Sequence, residues 1–298
     1  GRSSEILPSW NHGWTLGFQK GMQQLYPSKQ SGETVDSLIP SKKNFVDDET
    51  FLLLSRSQYT GSSGHNAAMW SGDIFSTWKE LEISVKSGQG AGASLIPLWC
   101  SDIGGYADGD PKKAEFQQLL VRWFQFGAFS PLFRLHGRRK SNEPRHSDQC
   151  GRSGGGNELW NLFETNPHFY EVVVSLIKVR EGLRNYILGL SHESRHSGWP
   201  IMRPMAFQYP NDPFCRLNLL EGQYMFGDEW LVAPVTKPDV KEWSVYLPHP
   251  GDRKSWIYYW NSSSVDSFGW KTVPIPNIEH FPLFYLHTLE VSPSVTFY

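Results

Sequence analysis

Three times in the first two-thirds of the chain, a short apolar run ends in polar residues and leads into a segment of helical length. Phe51-Leu-Leu-Leu closes in Ser-Arg-Ser, and a helix is predicted over about Ser76–Ser87. Leu95-Ile-Pro-Leu-Trp-Cys closes in Ser-Asp-Ile-Gly-Gly-Tyr, ahead of a helix from about Lys112 to Phe126 with apolar residues spaced for one face. Phe129-Ser-Pro-Leu-Phe-Arg-Leu-His-Gly precedes a long helical pattern from about Glu158 to Leu190. This alternation demands βα units with parallel strands. In barrels and open sheets of that kind, polar residues at the C-terminal ends of strands are where binding sites are built.

From about Trp199 the pattern changes. Trp230-Leu-Val-Ala-Pro-Val, Trp243-Ser-Val-Tyr-Leu and Trp256-Ile-Tyr-Tyr-Trp are short strand-like runs separated by Pro, Gly and Asp, and no helix-length period follows Tyr224. A second, antiparallel β domain is expected there. Thr15–Tyr26 has a helical pattern, while 28–50 and 137–156 read as loops.

Composition removes several function classes. A formal net charge of -2 without a basic tract argues against nucleic acid or an anionic membrane as partner. No run of about 18 apolar residues is present, so no membrane span is expected. Cys100, Cys150 and Cys215 are spaced for neither a zinc site nor a redox pair, and their odd number argues against a disulfide framework. Aromatic residues make up 14% of the chain, which suits sugar stacking and a Trp-rich core alike. Asn261-Ser-Ser is a glycosylation acceptor if the chain enters a secretory compartment.

The stretch Ala67-Ala-Met-Trp-Ser-Gly-Asp-Ile-Phe75 brings a tryptophan, a glycine and a lone carboxylate together. A carboxyl set against an apolar wall holds its proton more readily, which suits a general acid. Read alone, Asp73 is the N-cap of the helix that follows. Arg56 reads as an ion-pair partner, His136 as a strand-end histidine bonded to backbone, and Asp102 as the cap of a turn. Trp70 and Tyr106 read as core.

Order changes these readings. Trp70-Ser-Gly-Asp73, Ser101-Asp-Ile-Gly-Gly-Tyr106, Arg122 through His136, Arg203-Pro-Met, Tyr224-Met-Phe-Gly and Leu231-Val-Ala-Pro-Val follow one another as motifs of glycoside hydrolase family 31 do. From Phe51 to about Phe284 the chain resembles that family of α-glucosidases and α-xylosidases. The resemblance implies the second half of a (β/α)8 barrel at 1–197 and a small antiparallel β-sandwich at 198–298. It implies a retaining mechanism with an α-linked glycoside or oligosaccharide as substrate, and no metal or cofactor. Asp73 then looks like the acid/base. Arg56 and His136 look like sugar-hydroxyl ligands, Trp70 and Tyr106 like pocket walls, and Asp102 like a pocket carboxylate.

One piece of the family pattern has no counterpart here. The family's nucleophile stands in a Trp-x-Asp-x-Asn-Glu motif before the Arg56 strand, and no such motif occurs; Asp47-Asp48-Glu49 and Asp228-Glu229 do not match it. The chain is therefore expected to begin just after the nucleophile strand, with Trp10-Asn-His-Gly-Trp similar to the segment that follows it. An N-terminal portion of the same enzyme, or a partner chain, is expected to complete the barrel. The isolated chain is expected to be inactive. The segment Gly61-Ser-Ser-Gly-His-Asn departs from the family at the pocket wall, where an Arg is usual. The other reading is a non-catalytic carbohydrate-binding or structural protein of a larger assembly. The wording around Arg122 and His136 leans towards the α-xylosidase branch, with α-galactosidases, transglycosylases and lyases on the same scaffold left open.

Overall fold

The computed structural model describes residues 52–58, 67–139, 158–216, 222–252, 254–265 and 267–288. The expected helix at Thr15–Tyr26, the loop at 28–50, the Trp10 and Gly61 segments, Asp47-Asp48-Glu49, Cys150 and the loop residues 140–156 lie outside them. The chain divides into two compact units, Gly1–Trp70 and Ser71–Tyr298.

In the first unit, β1 (Leu53–Ser55) and β2 (Ala67–Trp70) pair in parallel, with Leu53 opposite Ala67 and Ser55 opposite Met69. Parallel pairing is what the repeated strand–helix pattern calls for. Phe51 lies outside the described residues, and the rest of its apolar run does not form a fully buried strand. Leu52 and Leu54 are 47% and 38% exposed, and burial alternates along β1 as in a strand with one open face.

The second unit opens with the turn carrying Asp73 and then α1 (Trp78–Ala93). The side chain of Thr77, three residues before Glu80, accepts the Glu80 amide at 3.2 Å and caps the helix. Asp73 lies four residues upstream of that cap, so the capping reading of Asp73 is incorrect. The next units are β3 (Trp99–Cys100), α2 (Ala114–Ala128), α3 (Leu159–Leu162), α4 (Pro167–Gly182) and α5 (Arg184–Ser197). The single helical pattern expected over Glu158–Leu190 is thus three helices. The side chain of Asn166 caps α4 ahead of Pro167, where a proline's missing N–H costs nothing, and the chain breaks again at Leu183.

Nor does α2 bury a single face. Every residue from Leu119 to Ala128 is buried, and its polar members are spent on the β domain. Arg122 donates to the carbonyls of His280 and Ile278, and Gln125 donates to those of Ile278 and Glu279. The apolar side, with Phe116, Leu120, Trp123 and Phe124, lies inside the barrel unit; each large side chain fully buried there stabilises by about 1.5–3 kcal/mol.

The β domain holds β4 (Met202–Arg203), α6 (Met205–Gln208), α7 (Pro213–Arg216), β5 (Tyr224–Phe226), β6 (Trp230–Val232), β7 (Glu242–Leu247), β8 (Lys254–Tyr258), β9 (Ser263–Val265), β10 (Gly269–Pro274) and β11 (Leu283–Thr288). Six strands form an antiparallel sheet in the order β4-β5-β6-β11-β8-β9, and β10 pairs with β7. Met225, Leu231, Val245, Leu247, Trp256 and Phe284 meet between them. Towards the helices, Phe129 touches Phe226, Trp230 and Phe281 with ring centroids 5.5–6.1 Å apart. The buried Tyr224 hydroxyl donates to the Phe129 carbonyl at 2.9 Å.

Candidate active site

Three chain segments at the ends of the barrel units are zipped side by side in the second unit. The first is the turn at 73–76, the second is 102–107 after β3, and the third is 134–139 beyond α2. Phe75 bridges Ala107 in parallel, Ile103 bridges Leu135 and Gly109 bridges Arg139. The amides of Tyr106 and Ala107 both donate to the Ile74 carbonyl, at 2.7 and 3.0 Å. The Ile103 amide donates to the Arg134 carbonyl at 3.1 Å, and the Arg138 amide to the Tyr106 carbonyl at 2.6 Å. This brings Asp73, Asp102, Tyr106 and His136 to one end of neighbouring segments.

Asp73 is exposed at the tip of its turn, which Gly72 enters at φ 81. Asp102 is its opposite, with no exposed surface at all. Arg134 donates to one Asp102 carboxylate oxygen, Oδ1, while Oδ2 is buried without a hydrogen-bond partner among the described residues. Burial pushes the Asp102 carboxyl up to about 6; the cations of Arg134 and Arg139 pull the other way, and the charge of Asp73 pushes with burial. A buried carboxylate oxygen with no donor is costly unless something else supplies one. A sugar hydroxyl is such a donor.

The rings of Tyr106 and His136 lie 5.5 Å apart at 39°. His136 is exposed, and desolvation of its ring, with Arg134 close by, lowers its proton affinity below that of an ordinary histidine. This favours the neutral ring, in which one nitrogen donates and the other accepts. Arg134 and His136 flank Leu135, whose backbone bridges Ile103, and residues two apart on an extended segment lie on the same side.

Arg56 and Trp70 belong to the first unit. Arg56 directly follows β1 and is exposed, and Trp70 ends β2 half-buried. The second unit thus unites four of the six residues singled out in the sequence, and adds Arg134, to which the alternation Phe-Arg-Leu-His pointed. Among the described residues no cluster of His, Cys, Asp and Glu is arranged for a metal ion. Cys100 and Cys215 are buried free thiols, both pushed up to about 12 by burial. No helix of the described residues is long and apolar enough to cross a membrane.

Comparison with known proteins bears on all of this. Residues 8–188 match the model of the glycosyl hydrolases family 31 TIM-barrel domain, and residues 198–287 that of the family 31 C-terminal domain. An α-xylosidase of Saccharolobus solfataricus is 30% identical over 240 residues, covering 80% of this chain and 29% of its own length. The neutral α-glucosidase C of Mus musculus is 29% identical over 287 residues, covering 95% of this chain and 27% of its own. The structure of a family 31 α-xylosidase from a soil metagenome, complexed with xylose, superposes with a TM-score of 0.76 at 32% identity, covering 94% of this chain and 37% of that one. The chain spans about a third of the length of these relatives.

Proposed function

The chain belongs to glycoside hydrolase family 31, and on that premise we propose that it forms part of the catalytic centre of a retaining α-glycosidase acting on α-xylosides or α-glucosides. The observation that carries the reading is the pairing of an exposed Asp73 with a buried, half-unsatisfied Asp102 on adjoining segments. One carboxyl is open to donate a proton, and the other is built to hold a ligand.

Asp73 is the acid/base. It gives its proton to the leaving glycosidic oxygen as the bond to the anomeric carbon breaks, and the nucleophile's carboxylate forms the new bond to that carbon. Asp73 then takes a proton from the water that hydrolyses the glycosyl–enzyme. In retaining enzymes the two carboxyls stand about 5–5.5 Å apart, and the second carboxyl is proposed to lie in sequence outside these 298 residues. Asp102 accepts a sugar hydroxyl on Oδ2, His136 binds a neighbouring hydroxyl, and Tyr106 walls the ring; for Arg56 and Trp70 the roles of hydroxyl ligand and aromatic wall rest on the family resemblance of their motifs alone. Barrel and sandwich are proposed to divide at 197/198, in keeping with the matched segments 8–188 and 198–287, with the barrel strands completed by further sequence.

The test uses Asp73→Asn in the protein expressed from its full gene. Turnover of substrates with poor leaving groups is expected to fall by about 10²-fold or more, while glycosyl–enzyme formation from activated aryl glycosides, which need no proton, is kept. Equal loss on both would remove Asp73 from the acid/base role. A carbohydrate-binding protein without hydrolytic activity is the second reading, favoured by the lack of a Trp-x-Asp-x-Asn-Glu motif in the sequence. It requires sugar binding with no covalent labelling by an activated fluoroglycoside.

A further inference from the structure

Arg139 is the least expected group beside this site. It follows His136 by three residues and is 1% exposed, yet none of its hydrogen bonds among the described residues goes to a carboxylate. Its Nη1 donates to the Gly105 carbonyl at 2.6 Å and reaches the Ser76 hydroxyl at 3.4 Å. Its Nη2 donates to the carbonyls of Ile103 at 2.9 Å and His136 at 3.3 Å. The guanidinium carbon sits 5.2 Å from the centre of the Phe116 ring.

Room for this group is made by glycines. A Cβ on Gly137 would come within 2.5 Å of Nη1, and one on Gly104 within 2.9 Å of Nη2. A fully buried cation without a carboxylate is expensive. A packing role needs no charge, so the charge calls for a reason. The acceptors supply one, because they belong to all three segments of the site. Ser76 ends the turn of Asp73, Ile103 and Gly105 bracket the stretch between Asp102 and Tyr106, and the last acceptor is the carbonyl of His136 itself.

We infer that Arg139 is a positioning residue of the pocket, whose buried guanidinium fastens the segments bearing Asp73, Asp102, Tyr106 and His136 into one frame and lends its charge to the Asp102 carboxylate. The inference rests on the function proposed above for those four residues. A lysine at this position keeps the charge but cannot serve acceptors lying in several directions from one rigid fork. A methionine fills similar space and keeps neither.

The two variants separate the duties when kcat/KM is followed against pH in the protein expressed from its full gene. Arg139→Met is expected to lower kcat/KM by about tenfold or more and to move the acid limb of the profile upward by about half a pH unit or more, because loss of a neighbouring cation makes a carboxylate harder to form. Arg139→Lys is expected to lose about tenfold with the limb in place. If Arg139→Met does not fold, the lysine variant carries the test through kcat/KM. Should both variants lose only thermal stability, with unchanged kcat/KM and pH profile of the folded enzyme, Arg139 is a structural residue and the inference falls.

Hydrogen exchange gives a readout that needs no turnover. The amides of Tyr106, Ala107 and Arg138 are expected to exchange about tenfold faster in Arg139→Lys. If the parent protein turns over no α-xyloside or α-glucoside, the proposed function fails by itself. Faster exchange would then still support the clamp, and unchanged exchange would overturn it.

Discussion

Arg134 holds one oxygen of the Asp102 carboxylate and leaves the other buried and without a hydrogen-bond partner among the described residues. A pair satisfied on both sides is a structural ion pair. One satisfied on a single side keeps acceptor capacity for a ligand, and Asp102 pays for that with a carboxyl raised to about 6.

That raised value fixes a pH dependence. Unfolded, the Asp102 carboxyl returns to its ordinary 3.8, so between about pH 4 and 6 the folded protein binds the proton more tightly. The stabilising increment is fully present below the unfolded value and is lost as pH rises through the folded one. At about 1.4 kcal/mol per unit it amounts to about 2–3 kcal/mol. Asp102→Asn removes this titration. The unfolding free energy of the parent minus that of the variant, from urea midpoints, is expected to fall by that amount from about pH 4 to 6.5 and stay flat above. A difference that does not change with pH would place the Asp102 carboxyl in an ordinary environment.

Exchanging His136 for Phe keeps a ring against Tyr106, now 5.5 Å away, and deletes both nitrogens. If those nitrogens bind sugar hydroxyls, kcat/KM is expected to drop about ten- to hundredfold, equivalent to about 1.5–3 kcal/mol, with little change in thermal midpoint. Full activity in His136→Phe would mean that the ring serves only as packing.

Much of this is legible in the sequence, and the gaps have physical causes. The order of the motifs carried the family, and strand–helix alternation carried the barrel units. Helix ends were misread where the deciding group was a local cap. Thr77 sets the start of α1 away from Asp73, and Asn166 with Pro167 makes the first of the two breaks that divide one long pattern into three helices. Arg122 and Gln125 follow helical periodicity but bond across to carbonyls at 278–280, a tertiary demand that no local pattern announces. Arg139 leaves no trace in the sequence, because three of its four acceptors are backbone carbonyls, which every residue possesses.

Gly105 has a conformation and a neighbourhood that exclude a side chain. Its φ is +72, and a Cβ there would lie 2.6 Å from the Phe75 carbonyl oxygen and 2.8 Å from the Ser76 Cα, both backbone. Gly105→Ala is expected to destabilise by about 2–4 kcal/mol, from left-handed strain plus displacement of the Asp73 turn, and to abolish activity. Gly90 on α1 is the control: it is exposed with nothing within 4 Å, so Gly90→Ala is expected to stabilise by up to about 1 kcal/mol. Urea unfolding of both variants checks the contrast; an unperturbed Gly105→Ala protein would refute the close contact.

Arg180 ties the end of α2 to the start of the His136 segment. Its Nη1 donates to the carbonyls of Ala128 and Ser130 at 3.0 and 2.6 Å, and its Nη2 to that of Pro131 at 2.9 Å. These carbonyls belong to the last residue of α2 and to the segment just after it, where no amide of the helix can reach them. The guanidinium also lies 5.9 Å from the ring centre of Phe133 and 5.8 Å from that of Phe226, joining the segment after α2 to β5. Arg180→Met leaves three carbonyls without this donor and is expected to cost about 3 kcal/mol. Because Arg134 begins only three residues beyond Pro131, the displaced segment carries Arg134 and His136 with it, so kcat/KM of the remaining folded enzyme is expected to fall as well. Arg180→Lys, with one ammonium for three acceptors, is expected to recover part of the stability and less of the activity. Stability lost without any change in kcat/KM would show that α2 anchors its own end but does not set the pocket.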